Sequence, residues 1–182
     1  LKIISFGFFI PAGDAVIWRG PMLHKTVQQF LGDVAWGPLD YLLVDLPPGT
    51  GDVQLSLCQS IPLTGAVVVS TPQDVALNVA QKAIYMFRKL NCPILGIVEN
   101  MSGFVCDGCG KHHDIFGRGG ARRACDRLAV PFLGEIPLHT DIRIASDKGE
   151  PVVLDGNVPS DQVNAFYSVA RDQTGNTEDA PS

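Results

Sequence analysis

Three short apolar runs limit what this chain can fold into. Tyr41-Leu42-Leu43-Val44, the stretch from Gly65 to Ser70 and the stretch from Pro93 to Val98 carry almost no polar residue. A strand with one wet face would alternate, so uninterrupted runs fit strands covered on both faces. Amphipathic segments with apolar residues near a 3.6 spacing separate them, among them Met22-Leu23, Val27, Phe30-Leu31 and Val34, and then Val75 to Leu90. This alternation predicts an α/β fold, a doubly wound and mostly parallel sheet. In such sheets ligands bind at the carboxyl ends of the strands.

The remaining elements follow from the same reading. Lys2 to Phe6 reads as a strand, Phe8 to Ala15 as a loop, and Asp52 as the cap of a helix running to about Ser60. Met101 to Gly120 reads as irregular. Ala121 to Ala129 is expected to be helical, Val130 to Leu133 a short strand, Gly134 to Pro137 a loop, and Thr140 to Asp147 and Pro159 to Arg171 helices. One domain over residues 1–171 is expected, with 172–182 as a disordered tail.

Composition removes several functional classes. Apolar residues make up 46% of the 182, and charged residues 18%, which excludes wholesale disorder. No apolar run approaches the ~20 residues that span a bilayer, so no membrane role is expected. A net charge of -5 argues against a broad nucleic-acid-binding face while leaving room for a local basic patch. Five cysteines, unevenly placed, do not make a disulfide scaffold. A reducing compartment is expected: the cytoplasm, or the mitochondrial matrix in a eukaryote. No secretory signal is visible at Leu1 to Phe6. The chain opens on a strand without an initiator Met, which reads as a piece of a longer protein.

Four constellations carry chemistry. In the string from Leu42 to Asp52 an apolar run delivers Asp45 to the sheet's carboxyl edge, followed by Pro47-Pro48-Gly49-Thr50-Gly51. A carboxylate there can hold hydrated Mg²⁺, and the glycines let backbone N–H groups face a phosphate. The plain alternative is a strand-end Asp that caps the next loop. Cys106-Asp107-Gly108-Cys109 puts two thiols on one turn, suited to a tetrahedral metal or cluster iron. Four ligands are needed and no second C-x-x-C exists. A twofold dimer would supply the missing pair, and a Cys₂His₂ zinc site with His112 and His113 is conceivable although their spacing is unusual. A redox dithiol or an ordinary exposed pair are the other readings. Asn100, at the end of the run through Val98-Glu99, could read a base edge or could be a turn residue. Gly117 to Arg123 could cradle an anion before a helix, or form a loop and a solvated basic face. No G-x-x-x-x-G-K-S/T phosphate loop occurs in the sequence.

Taken in order, Trp18-Arg19-Gly20-Pro21-Met22, Asp40 to Asp52, Thr71 to Leu77, Gly96 to Ser102, the Cys106/Cys109 pair, Asp114-Ile115-Phe116-Gly117 and Gly134 to Leu138 form a set. With these strings the chain resembles the Mrp/ApbC family of MinD/ParA-like P-loop ATPases, iron–sulfur cluster carriers with a mitochondrial branch. The resemblance spans about residues 1–170. It implies a homodimer, or a heterodimer of close relatives, holding a labile 4Fe–4S cluster between subunits through Cys106 and Cys109. It implies binding and slow hydrolysis of ATP with Mg²⁺, and delivery of the cluster to apo-proteins. Asp45 would be the acidic residue near Mg²⁺, Asn100 the adenine contact, with Gly49 at the phosphates and Pro137 against the base. Family members also carry a lysine-bearing phosphate loop at a position that would precede Leu1, so this chain looks incomplete at its start and its sheet would lack a central strand. Three alternatives stand beside the carrier: a zinc-stabilised binding module, an inactive truncated ATPase with no cluster transfer, and a positioning ATPase of the MinD/ParA type.

Overall fold

The computed structural model describes residues 1–9, 20–47, 51–106, 108–154 and 160–177. Two compact units divide the chain, Leu1–Pro62 and Leu63–Ser182.

In the first unit two helices form, α1 (Gly20–Gly32) and α2 (Asp52–Ser60). Gly51 is the cap of α2, and Asp52 stands one place later in its first turn, where a carboxylate favours the helix dipole. The Gln54 side chain donates to the Pro47 carbonyl at 2.7 Å, tying this helix to the segment before it. Lys2 Nζ donates to the carbonyls of Ala35 and Trp36. Phe6 stacks on Phe30 with ring centroids 4.9 Å apart.

Neither strand expected in this unit forms. Lys2 to Phe6 gives way to a short 3-10 turn at Phe6–Phe8. Tyr41 to Val44 carries no strand pairing and lies exposed, Leu43 at 87%. The reason is pairing rather than propensity. A ladder needs a neighbour for its N–H and C=O groups, and a doubly buried strand needs helices on both faces. Among the described residues of this unit there is no strand to offer an edge.

The second unit is the doubly wound sheet. Strand β1 (Ala66–Ser70) leads into α3 (Asp74–Lys89), and β2 (Ile94–Val105) turns back through β3 (His112–His113). Next come α4 (Gly120–Leu128), β4 (Phe132–Leu138), α5 (Thr140–Lys148) and α6 (Ser160–Thr177). β2 is the centre: it pairs parallel with β1 and with β4, and antiparallel with β3. Successive residues of β2 serve opposite faces. Ile97 packs with Leu77, Ala80 and Ile84 of α3 and with Ala121, Ala124 and Leu128 of α4. Val98 packs with Leu133 and Ile136 of β4 and Val169 of α6. This two-faced burial is what the apolar run from Pro93 to Val98 required. At β1 the cover is thinner, and Val69 is open to solvent.

Three further boundaries differ from the expectation. β2 runs past Asn100 to Val105, so the first part of the supposedly irregular segment is strand and hairpin. β4 continues through Gly134 to Pro137, taken from the sequence as a loop. Proline is tolerated there because no partner of Pro137 is found in the ladder, so its missing N–H removes no bond. α6 extends past Arg171 to Thr177. Gly49, most of the loop from Phe8 to Ala15, Asp107 and residues 178–182 lie outside the described residues.

Candidate functional site

The carboxyl ends of β2 and β4 bring two of the expected residues, Asn100 and Pro137, near each other. Asn100 sits opposite Ile136 in the parallel register, one residue from Pro137. Its side-chain carbonyl accepts the Met101 backbone N–H at 2.9 Å. The amide NH₂ of such a side chain keeps two donors for a ligand ring. Asp45 belongs to the other compact unit, on an exposed stretch rather than at the end of a paired strand.

Beyond Asn100 the β2–β4 register shifts before it resumes at Phe104 and Leu138. Met101 at φ 57 and Gly103 at φ 69 take up the irregularity. Gly103 is required twice over: its φ is left-handed, and a Cβ there would sit 2.6 Å from the His112 ring. The strand then forms a hairpin with β3. Phe104 faces His113 and Val105 faces His112. At the tip Cys106 N–H donates to Lys111 C=O at 3.0 Å, and Gly110 N–H donates to Cys106 C=O at 2.8 Å. The C-x-x-C therefore occupies the head of a hairpin, with Cys106 half-buried and Cys109 exposed.

The donor set at this tip is two thiols. Among the described residues no three His, Cys, Asp or Glu side chains gather to hold a metal ion. His112 instead packs over Gly103 and pairs with Asp114 at 3.3 Å. Among the described residues, His112 and His113 do not gather with the two thiols into a group that could hold a metal ion.

A cluster the sequence did not announce lies between the two candidate sites. Glu99 is fully buried at the last position before Asn100. Its Oε1 accepts the Ser102 hydroxyl at 2.6 Å and the Gly119 N–H at 2.7 Å, and its Oε2 accepts the Ala121 N–H at 2.7 Å. The last two donors open α4. The α4 cap, Gly119, has no side chain to offer, so Glu99 supplies the acceptor and the negative charge a helix start favours. The amides of Gly119 and Ala121, inside the glycine-rich stretch the sequence singled out, thus hold an anion, but it is the protein's own carboxylate. Next to Glu99 in register is Glu135, whose Oε2 takes Arg118 Nε at 3.1 Å and lies 3.3 Å from the Ser102 hydroxyl. His139 was also missed: its Nδ1 accepts the Asp141 N–H and caps α5.

Residues 1–173 match the family described as ParA: NUBPL iron-transfer P-loop NTPase. The chain belongs to this family. It is 55% identical over 175 residues to the iron-sulfur cluster carrier protein of Deinococcus radiodurans, covering 96% of this chain and 49% of that one. It is 47% identical over 181 residues to the iron-sulfur cluster transfer protein NUBPL of Mus musculus, covering 56% of that protein. The chain thus spans about half the length of the curated relatives it matches. Among solved structures, the nucleotide-binding protein of Archaeoglobus fulgidus in complex with ADP matches with TM-score 0.63 and 41% identity, over 80% of this chain and 55% of that one. The cell division ATPase MinD of Pyrococcus furiosus matches with TM-score 0.62 over 88% of this chain and 63% of that one, at 23% identity, which speaks for the fold alone. The MinD/ParA-like architecture expected from the sequence is the one found.

Proposed function

We propose that the chain carries the cluster-holding and base-contacting part of an iron–sulfur cluster carrier. Its cargo is a 4Fe–4S cluster bound by Cys106 and Cys109 of each of two copies and delivered to apo-proteins. The observation that carries this reading is the hairpin tip: a half-buried Cys106 and an exposed Cys109 on one turn, with no group of three metal-donor side chains gathered among the described residues. Two ligands per copy close a four-sulfur cage only across a dimer axis, either of identical chains or of close relatives. Cargo held on two exposed tips can leave when the pair loosens, which suits delivery better than storage. We assign the chain to a reducing compartment, the cytoplasm or the mitochondrial matrix, on the small number and uneven placement of its cysteines. No helix among the described residues is long and apolar enough to cross a membrane.

The nucleotide reading is narrower. Asn100 and Pro137 are assigned to the base, Gly49 to the phosphates and Asp45 to hydrated Mg²⁺. That the Archaeoglobus fulgidus relative is in complex with ADP supports nucleotide binding as such. The cationic phosphate loop is not in these 182 residues, and the amides that open α4 are taken by Glu99. ATP supplies, when bound, the energy of its phosphate contacts to set the dimer geometry. This chain by itself has the base side of that site without the lysines that hold the phosphates, so it binds ATP weakly.

Anaerobic reconstitution with iron and sulfide, followed by visible absorption and metal analysis, tests the proposal. Iron and sulfide in equal amounts, absent from a Cys106→Ser, Cys109→Ser chain, support it. Zinc alone, at one atom per pair of chains, would make the protein a structural zinc module instead.

A further inference from the structure

Strand β2 carries the base-contacting candidate and runs directly into the turn that bears the cluster-holding candidates. Between Asn100 and Cys106 that backbone is irregular. The β4 register breaks from Asn100 to Phe104, and Met101 and Gly103 are left-handed. A bulge of this kind re-aims the strand that leaves it. Its direction needs an anchor, and the structure supplies one. Ser102, a buried residue inside the break, donates to Glu99 Oε1 at 2.6 Å and reaches toward Glu135 Oε2 at 3.3 Å. Glu99 in turn holds the first amides of α4, and Glu135 is held by Arg118. The root of the hairpin is thereby fastened to a helix and to the neighbouring strand.

We infer that Glu99 and Ser102 are positioning residues for the cluster: the hydroxyl–carboxylate bond between them fixes the direction in which the C-x-x-C hairpin leaves the sheet. Neither side chain touches the cargo. They act by setting where the thiols of Cys106 and Cys109 meet those of a second copy, and the inference rests on the reading that these thiols hold the cluster. A cage assembled from two chains depends on both tips arriving at one place. Residues that orient ligands in this way commonly change metal retention by about 10- to 100-fold when lost.

Ser102→Ala is the sharper variant, because it frees the bulge while leaving Glu99 on α4. Its control is Val68→Ala, a truncation in the core on β1 away from the hairpin. Two quantities are read beside the melting temperature: amide hydrogen exchange over residues 104–113 in the cluster-free chain, and the rate at which a chelator strips iron from the reconstituted chain. Ser102→Ala is expected to speed both by about 10-fold or more. Val68→Ala, at an equal or greater loss of melting temperature, is expected to leave both nearly unchanged. If Ser102→Ala behaves like Val68→Ala in hydrogen exchange, or speeds exchange without speeding iron loss, the proposal is overturned. The Cys106→Ser, Cys109→Ser chain separates the two levels. If that chain still loads iron, the ligand assignment has failed and the positioning role falls with it. If it loads none while Ser102→Ala matches Val68→Ala, the ligands stand and only the positioning role is lost.

Discussion

Glu99→Gln should cost far more than a change of one atom suggests. The carboxylate is fully buried and receives three donors, two on Oε1 and one on Oε2. A glutamine can keep its oxygen toward Ser102 and Gly119, which leaves its NH₂ facing the Ala121 N–H, donor against donor. One charge-assisted bond, worth about 1.5–3 kcal/mol, is lost, and the other two fall from charged to neutral strength. The loss of negative charge at the α4 N-terminus adds about 0.3–2 kcal/mol. Together the expected destabilisation is about 3–5 kcal/mol, a large share of the roughly 5–15 kcal/mol that holds a domain folded. Urea unfolding followed by far-ultraviolet circular dichroism measures it. With a slope of about 1–3 kcal/mol per molar urea, the midpoint should fall by about 1 M or more. A loss below about 1 kcal/mol would mean that Glu99 is not the acceptor that starts α4, and the reasoning would fail at that step.

Other substitutions and conditions follow from the same structure. Gly120→Ala would drive a Cβ into the Pro72 carbonyl, where the turn after β1 meets the start of α4, and should cost about 1–3 kcal/mol in the same urea assay. Ile84→Ala empties a fully buried position of the core between α3 and β2 and should cost about 2–5 kcal/mol. Burial, with Asp126 adding to it, pushes the Cys125 thiol from 9.0 up to about 11. The folded chain then keeps a proton that the unfolded chain releases, so stability falls as pH rises from about 9 to about 11; relative to Cys125→Ala, the native chain should lose about 2 kcal/mol across that window. The purified chain should show no ATP turnover above background, and turnover that disappears on Asp45→Ala would contradict the reading of its nucleotide site.

The parts of the fold written in local periodicity were legible. α2 and α3 and the buried run of β2 lie within a residue or two of where their spacing put them. Asn100, Pro137 and the thiol pair were visible as residues, yet their settings were not. β3 is two histidines long, with no apolar signal, so the hairpin that lifts the C-x-x-C out of the sheet could not be read from pattern. Tyr41 to Val44 shows the opposite failure. Its apolarity is real, but a strand is a relation between segments, and the sequence does not say whether a partner is at hand. Glu99 is the more instructive omission. A helix opening on Gly119-Gly120 has no side chain to cap it, so it needs an acceptor from elsewhere in the fold. That much the sequence did contain. Which carboxylate answers depends on the parallel crossover from β2 to α4, which only the folded chain makes.

The central claim is that two thiols per chain become a four-sulfur cage in a pair of chains. Native mass spectrometry of the anaerobically reconstituted protein, with iron and sulfide measured on the same sample, addresses it directly. The account predicts a species of two chains holding one 4Fe–4S cluster, and a Cys106→Ser, Cys109→Ser chain that carries none. A single chain that retains the full cluster, or a double variant with undiminished iron, would contradict it.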